Sequence, residues 1–297
     1  MDSVNFKKLS LGALLVALGS TQYTTTSYPT TTSYQPTTIS AGTSIPNNVV
    51  IGGNNALVGD GNTMLGYNNQ MLGSYNNMIG NNNLMAGYQN TMVGSNNQML
   101  GNLNYMSGYG NNLSGSGNTV VGTNNLGQGD LNGIFGTGNA VLGTGNLAVG
   151  TQNLLAGQLN TAYGALNTAS GTGNTLIGTG NTALGTGNVG YGSYNNLAGI
   201  YNTAVGGYNT VVGTGNVASG LGNNVLGAGN LVQGISNDVQ GISNTVSGIS
   251  NDVSGGNNFV MGTGNTVQSS LIAPTNLRVA YWPFYFEIND FSTLFTF

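Results

Sequence analysis

The sequence predicts an all-β protein, a parallel β-solenoid or β-roll, and three observations carry that expectation. Glycine recurs every seven positions, without a slip, from Gly52 to Gly262. Asparagine keeps the same step from Asn48 to Asn265, each one four positions ahead of a repeat glycine as far as Asn258. Midway between them stands an apolar residue at nearly every copy. The unit is N-x-Φ-x-G-x-x, and residues 181–187 (NTALGTG) are a clean example. A short period held this long is the mark of stacked repeats.

A seven-residue step also suggests a coiled coil, but that needs two apolar positions per heptad. Here one position is always Gly and another always Asn. Glycine inside a helix costs about 1 kcal/mol relative to Ala, so the glycine column alone would cost on the order of 30 kcal/mol. Strands fit instead. With the unit lettered a to g from its Asn, alternation sends a, c and e to one side and b and d to the other. Column c then lines the interior, with Met from Met64 to Met106 and Val from Val225 to Val267. Gly127 and Gly190 leave gaps in it. The Met run is expected to be core filler, a use that suits its flexible thioether, and not a row of soft metal ligands. Glycine at e is expected to end each strand at positive φ, with the corner at f and g. Asn at a is expected to bond a turn backbone and its counterpart one coil away. Two heptads would close a flat coil of about 14 residues, and about fifteen coils at ~4.8 Å would build a rod near 70 Å.

Composition narrows the function. Charged residues make up 3% of the chain, and its three basic residues are Lys7, Lys8 and Arg278. So little positive charge argues against nucleic acid, which is held largely by Lys and Arg on phosphates. The chain has no Cys and no His, which excludes Cys- or His-based catalysis and a structural zinc site. No apolar run is long enough for a transmembrane helix.

In order, residues 1–19 are expected to be a signal peptide. Lys7 and Lys8 precede the apolar run 9–18, and Ala17-Leu18-Gly19 supplies a cleavage site. Residues 20–47, rich in Thr, Ser, Tyr and Pro, are expected to be an extended linker or stalk. Residues 48–268 form the repeat. Residues 269–297 bring Trp282 and a dense set of aromatics, and are expected to be a C-terminal cap or assembly strand closing an open sheet edge.

Catalytic material is scarce, and the chain is expected not to be an enzyme, with no cofactor and no metal. Asp60, Asp130, Asp238 and Asp252 take outward positions in the repeat. Asp238 and Asp252 share a column one coil apart, and two solvated charges are favoured over a Ca²⁺ site. Repeated G-x-G triplets such as Gly178-Thr179-Gly180 lack the Lys of a phosphate-binding loop and are read as corners. Two sets of surface residues are candidates for contact. One is Tyr194, Tyr201 and Tyr208, whose rings offer amphipathic area. The other is Thr63, Thr91, Thr119, Thr161, Thr175 and Thr203 in column b, a broken Thr column like that of ice-binding solenoids.

The units NTLIG (174–178), NTALG (181–185), NTAVG (202–206) and NTVVG (209–213) resemble the head repeats of trimeric autotransporter adhesins, the YadA-like left-handed parallel β-roll. That resemblance implies a homotrimer joined through one strand face and adhesion to host or matrix molecules. The chain would lack that family's stalk and membrane anchor. Column d gives the face to be covered: one alternate set, with Leu65, Ile79, Val93, Val121 and Ile177, is bulkier and more β-branched than the other. The leading expectation is therefore a secreted or cell-surface adhesive fibre protein, trimeric, meeting extracellular matrix or cell-surface partners. The alternative is an ice-binding solenoid that uses a flat Thr-bearing face against an ice surface.

Overall fold

The computed structural model describes residues 38–40, 47–268, 277–281 and 284–288. The expected signal peptide, most of the linker and most of the C-terminal segment lie outside the described residues. What is described is a parallel β-solenoid of about 16 turns, about 14 residues per turn, with no helix among those residues. Each heptad forms one strand, and successive strands alternate between two sheets.

The front sheet begins at Val49–Ile51 and Thr63–Leu65 and runs to Phe259–Thr263. The back sheet contains Ala56–Val58, Gln70–Ser74 and so on to Thr266–Gln268. Pairing is parallel and in register. On the front, Thr161, Ala162 and Tyr163 face Thr175, Leu176 and Ile177. On the back, Thr168, Ala169 and Ser170 face Thr182, Ala183 and Leu184. At the ends, Thr38–Ser40 pairs in parallel with Ala56–Val58, within the stretch assigned to the linker. Leu277–Tyr281 pairs in parallel with Phe259–Thr263 and antiparallel with Phe284–Ile288.

The interior has two components. Column c is the apolar core, from Leu57 and Met64 through Ala148 and Ala162 to Val267. The methionines are buried within it as filler. Its two glycine gaps are filled from beside: a Cβ on Gly127 would come within 2.8 Å of Leu113 Cδ1 and 2.9 Å of Ile134 Cδ1. Gly190 is covered in the same way by Leu176 and Leu197.

Column a is a buried ladder of asparagines. Asn160 shows the pattern. Its backbone N–H donates to Asn146 Oδ1 at 2.9 Å, and its Nδ2 donates to Asn146 Oδ1 at 3.2 Å. The same Nδ2 donates to the carbonyls of Gly171 at 2.9 Å and Ala156 at 3.1 Å. Its own Oδ1 accepts from the backbone N–H of Asn174 at 3.0 Å and from Asn174 Nδ2 at 2.9 Å. An amide carries two donors and an acceptor with two lone pairs, so a rung inside the ladder such as Asn160 is satisfied by its neighbours, whereas Asn258 Oδ1, near the C-terminal end, has no partner among the described residues. Burial without those partners would cost about 1–3 kcal/mol per group.

The glycines do more than was expected of them. Most strands run from b through f, so in them the column-e glycine lies inside the strand and does not end it; a few, such as Thr63–Leu65 and Asn112–Ser114, stop at d. Gly150 has φ +122°, and a Cβ there would overlap the carbonyl oxygen of Gly164 one coil on. The αL corner falls at g, where Tyr194, Leu131 and Asn96 take φ near +57°. Bulky corner residues fold back over a glycine of the preceding coil: a Cβ on Gly180 would lie 2.7 Å from Tyr194 Cδ1.

Two substitutions separate these roles. Gly150→Ala combines a forbidden φ with backbone overlap and should destabilise the rod by about 3 kcal/mol or more, whereas Gly173→Ala, with open space around it, should cost about 1 kcal/mol. Asn160→Ala strands the backbone N–H of Asn174 and takes the side-chain donor from the carbonyls of Gly171 and Ala156, and should cost about 3 kcal/mol. Denaturant midpoints for the three variants measure these differences.

Candidate functional site

With columns a and c turned inward, the strands present b, d and f to solvent, and the two sheets give two faces of different chemistry. On the front face the six candidate threonines, Thr63, Thr91, Thr119, Thr161, Thr175 and Thr203, fall in one column b, all half-buried. Only Thr161 and Thr175 are on adjoining strands. Asn77 separates Thr63 from Thr91, and Tyr105 separates Thr91 from Thr119.

Column d lies beside it on the same face. It carries Ile51, Ile79, Val93, Val121, Val149, Ile177 and Val205, with Leu, Ser, Gln, Met or an aromatic ring at its other positions. Val and Ile have few χ1 rotamers on a strand, and Thr shares their branching, so this face is preset in shape. The register repeats its columns at about 4.8 Å along the rod, with b and d about 6.7 Å apart along each strand. The result is a two-dimensional grid rich in methyl and hydroxyl groups, interrupted by residues such as Asn77, Tyr105 and Phe135.

The back face is softer and more polar over the same coils. Its column b includes Gln70, Gln98, Asn112 and Asn196 along with Leu84, Leu126 and Leu154 and the threonines Thr168, Thr182 and Thr210, and its column d includes Leu72, Leu100, Ser114 and Gln128. All four aspartates of the repeat lie on this side. Asp238 and Asp252 are in column b of the back sheet, facing one another, and Asn224 Nδ2 donates to Asp238 Oδ1 at 3.0 Å. Asp60 and Asp130 occupy position f after the back strands Ala56–Val58 and Leu126–Gln128. Asp130 Oδ1 accepts from the N–H of Ser116 at 2.8 Å. Between residues 49 and 263 the front face has no charged residue. No group of three or more His, Cys, Asp or Glu that could hold a metal ion occurs among the described residues. Nor is any helix among them long and apolar enough to cross a membrane.

The tyrosine candidates do not form one surface. Tyr194 and Tyr208 stack at the corner that follows the front strands, with centroids 5.2 Å apart and planes 17° apart. Tyr201 follows the back strand Asn196–Ile200 and so sits at the opposite corner. Sequence reasoning assigned the d-column aliphatics to a subunit interface and not to the Thr surface, and it missed the one-sided charge. Sorting the aspartates by alternate heptads would have shown the latter.

The family model described as grass antifreeze beta roll matches residues 37–136, about a third of the chain. No curated protein matches it. This finding corrects the adhesin-head resemblance and what came with it: adhesion, a fibre role and a homotrimer. The physical reason is that N-x-Φ-x-G states the needs of a two-strand coil, an inward amide, a core residue and a backbone contact too close for a Cβ. Those needs belong to the fold and not to one function. The β-branched front face, expected to be covered by sister chains, therefore has to be read as a surface in its own right.

Proposed function

We propose that the chain is a non-catalytic ice-binding protein that acts outside the cell and meets the ice surface with its front face. The observation that carries this reading is the absence of charge from that face over the whole run of coils, together with its β-branched grid. A charged group holds its own hydration shell tightly, and stripping that shell costs several kcal/mol per ion. A crystal surface offers no counter-charge to offset this cost. An uncharged face of methyls and hydroxyls loses water cheaply, and its residues have little side-chain entropy left to lose on contact. Long side chains such as Gln70 and Gln98 on the back would lose more. The likeness of residues 37–136 to an antifreeze β-roll supports the same reading, and that segment includes Thr63, Thr91 and Thr119.

Thermal hysteresis and inhibition of ice recrystallisation by the purified chain test it. The intact protein should show both. Thr175→Lys puts a charge at the middle of the front face and should remove most of the activity. Gln98→Lys, on the back, should leave it unchanged. Thr175 and Gln98 are both half-buried surface positions, so the two substitutions should alter stability to a similar, small extent, and unfolding midpoints serve as the control. Equal loss in both variants would overturn the assignment of the face, and an inactive parent would overturn the function.

A further inference from the structure

The repeat places asparagine where it almost never forms the acceptor triplet N-x-S/T for N-linked sugar. Two positions after each ladder Asn stands column c, which is apolar or Gly throughout. This matches the packing, because a ladder Asn such as Asn160 is fully buried and its amide nitrogen is committed to the adjoining coils. Corner asparagines miss the triplet as well. Asn54, Asn68, Asn82, Asn96, Asn124 and Asn257 are followed two positions on by Ala, Gln, Leu, Gln, Leu and Phe. One triplet remains in the whole chain: Asn112-Leu113-Ser114.

We infer that Asn112 is a site of N-linked glycosylation when the chain enters a secretory pathway that attaches such sugars. Asn112 is in column b of the back sheet, on the short strand Asn112–Ser114, and its side chain is exposed. Leu113 between the two acceptor residues points into the core. The folded chain can therefore carry at this position a bulky group that no ladder Asn could carry, and the group projects from the face opposite the threonines. In the transfer, Asn112 Nδ2 bonds to the anomeric carbon of a lipid-diphosphate-linked oligosaccharide. The carbon–oxygen bond to the diphosphate breaks, the lipid diphosphate leaves with the electron pair, and the amide gives up one proton. A triplet of this kind marks an acceptor in secreted proteins. The inference does not depend on ice binding.

The test uses the full chain, secreted from a eukaryotic host behind a secretion signal of known function. Its intact mass is compared before and after digestion with a peptide N-glycosidase, which leaves O-linked sugars in place. Digestion should remove one glycan from the parent and nothing from Asn112→Gln or Ser114→Ala. Both substitutions are on the surface strand and should not impair folding, and secretion yield and unfolding midpoint monitor this. A parent whose mass does not change on digestion would overturn the inference. So would a loss of sugar that persists in Asn112→Gln.

Discussion

Every other feature of the rod takes its place from the contact between stacked coils at columns a and e. The glycine column lets one backbone rest on the next carbonyl with no Cβ between them, as at Gly150 and Gly164. The asparagine column bolts the same coils together through amide bonds, as between Asn146, Asn160 and Asn174. A β-sheet slipped by one residue would exchange its inner and outer sides. Here such a slip would also unmake a buried amide ladder and drive side chains into a backbone contact. Register is thereby fixed along the whole rod, although the apolar column is thin and varies from Met to Ala to Val.

Fixed register inside makes a lattice outside. Columns b and d repeat at the strand spacing whatever residues they hold, so surface chemistry can change without altering the geometry. The two faces use that freedom differently. The front is richer in Thr, Val and Ile and has no charged residue between 49 and 263, while the back is richer in Gln and Asn and holds every aspartate of the repeat. An extended solid surface is recognised by many weak contacts that act together only if their spacing is rigid. The asparagine and glycine columns supply such rigidity, and under the proposed function the front columns supply the chemistry.

Much of this was legible in the chain itself. Gly52 to Gly262 and Asn48 to Asn265 specify two strands per coil, and the interior they define matches the buried residues from Leu57 to Val267. The place of the corner was less legible. A repeated glycine suggests a turn, yet the turn falls at g, which accepts Tyr, Leu, Asn, Gln or Ser, while the glycine answers a contact with a residue 14 positions away that no local rule displays. The threonines of the candidate surface were readable as a column, and so was the β-branched set in column d, but that set was assigned to a subunit interface and not joined to the threonines, and the one-sided placement of Asp60, Asp130, Asp238 and Asp252 was not seen. Tyr194, Tyr201 and Tyr208 look like one series at seven-residue steps, and the alternation of the coil puts the middle one at the far corner. The motif NTALG spoke for a fold shared by unrelated functions, and it misled wherever it was taken to speak for one of them.

Because the chain has no cysteine, one introduced thiol can be labelled uniquely, which allows the proposed contact between face and ice to be tested directly. Val149→Cys on the front and Ala156→Cys on the back, each joined to the same bulky fluorophore, would be offered in turn to a slowly growing ice hemisphere. The account predicts that the back-labelled rod enters the ice and the front-labelled rod stays in the liquid. Equal incorporation of the two, or the reverse preference, would contradict it.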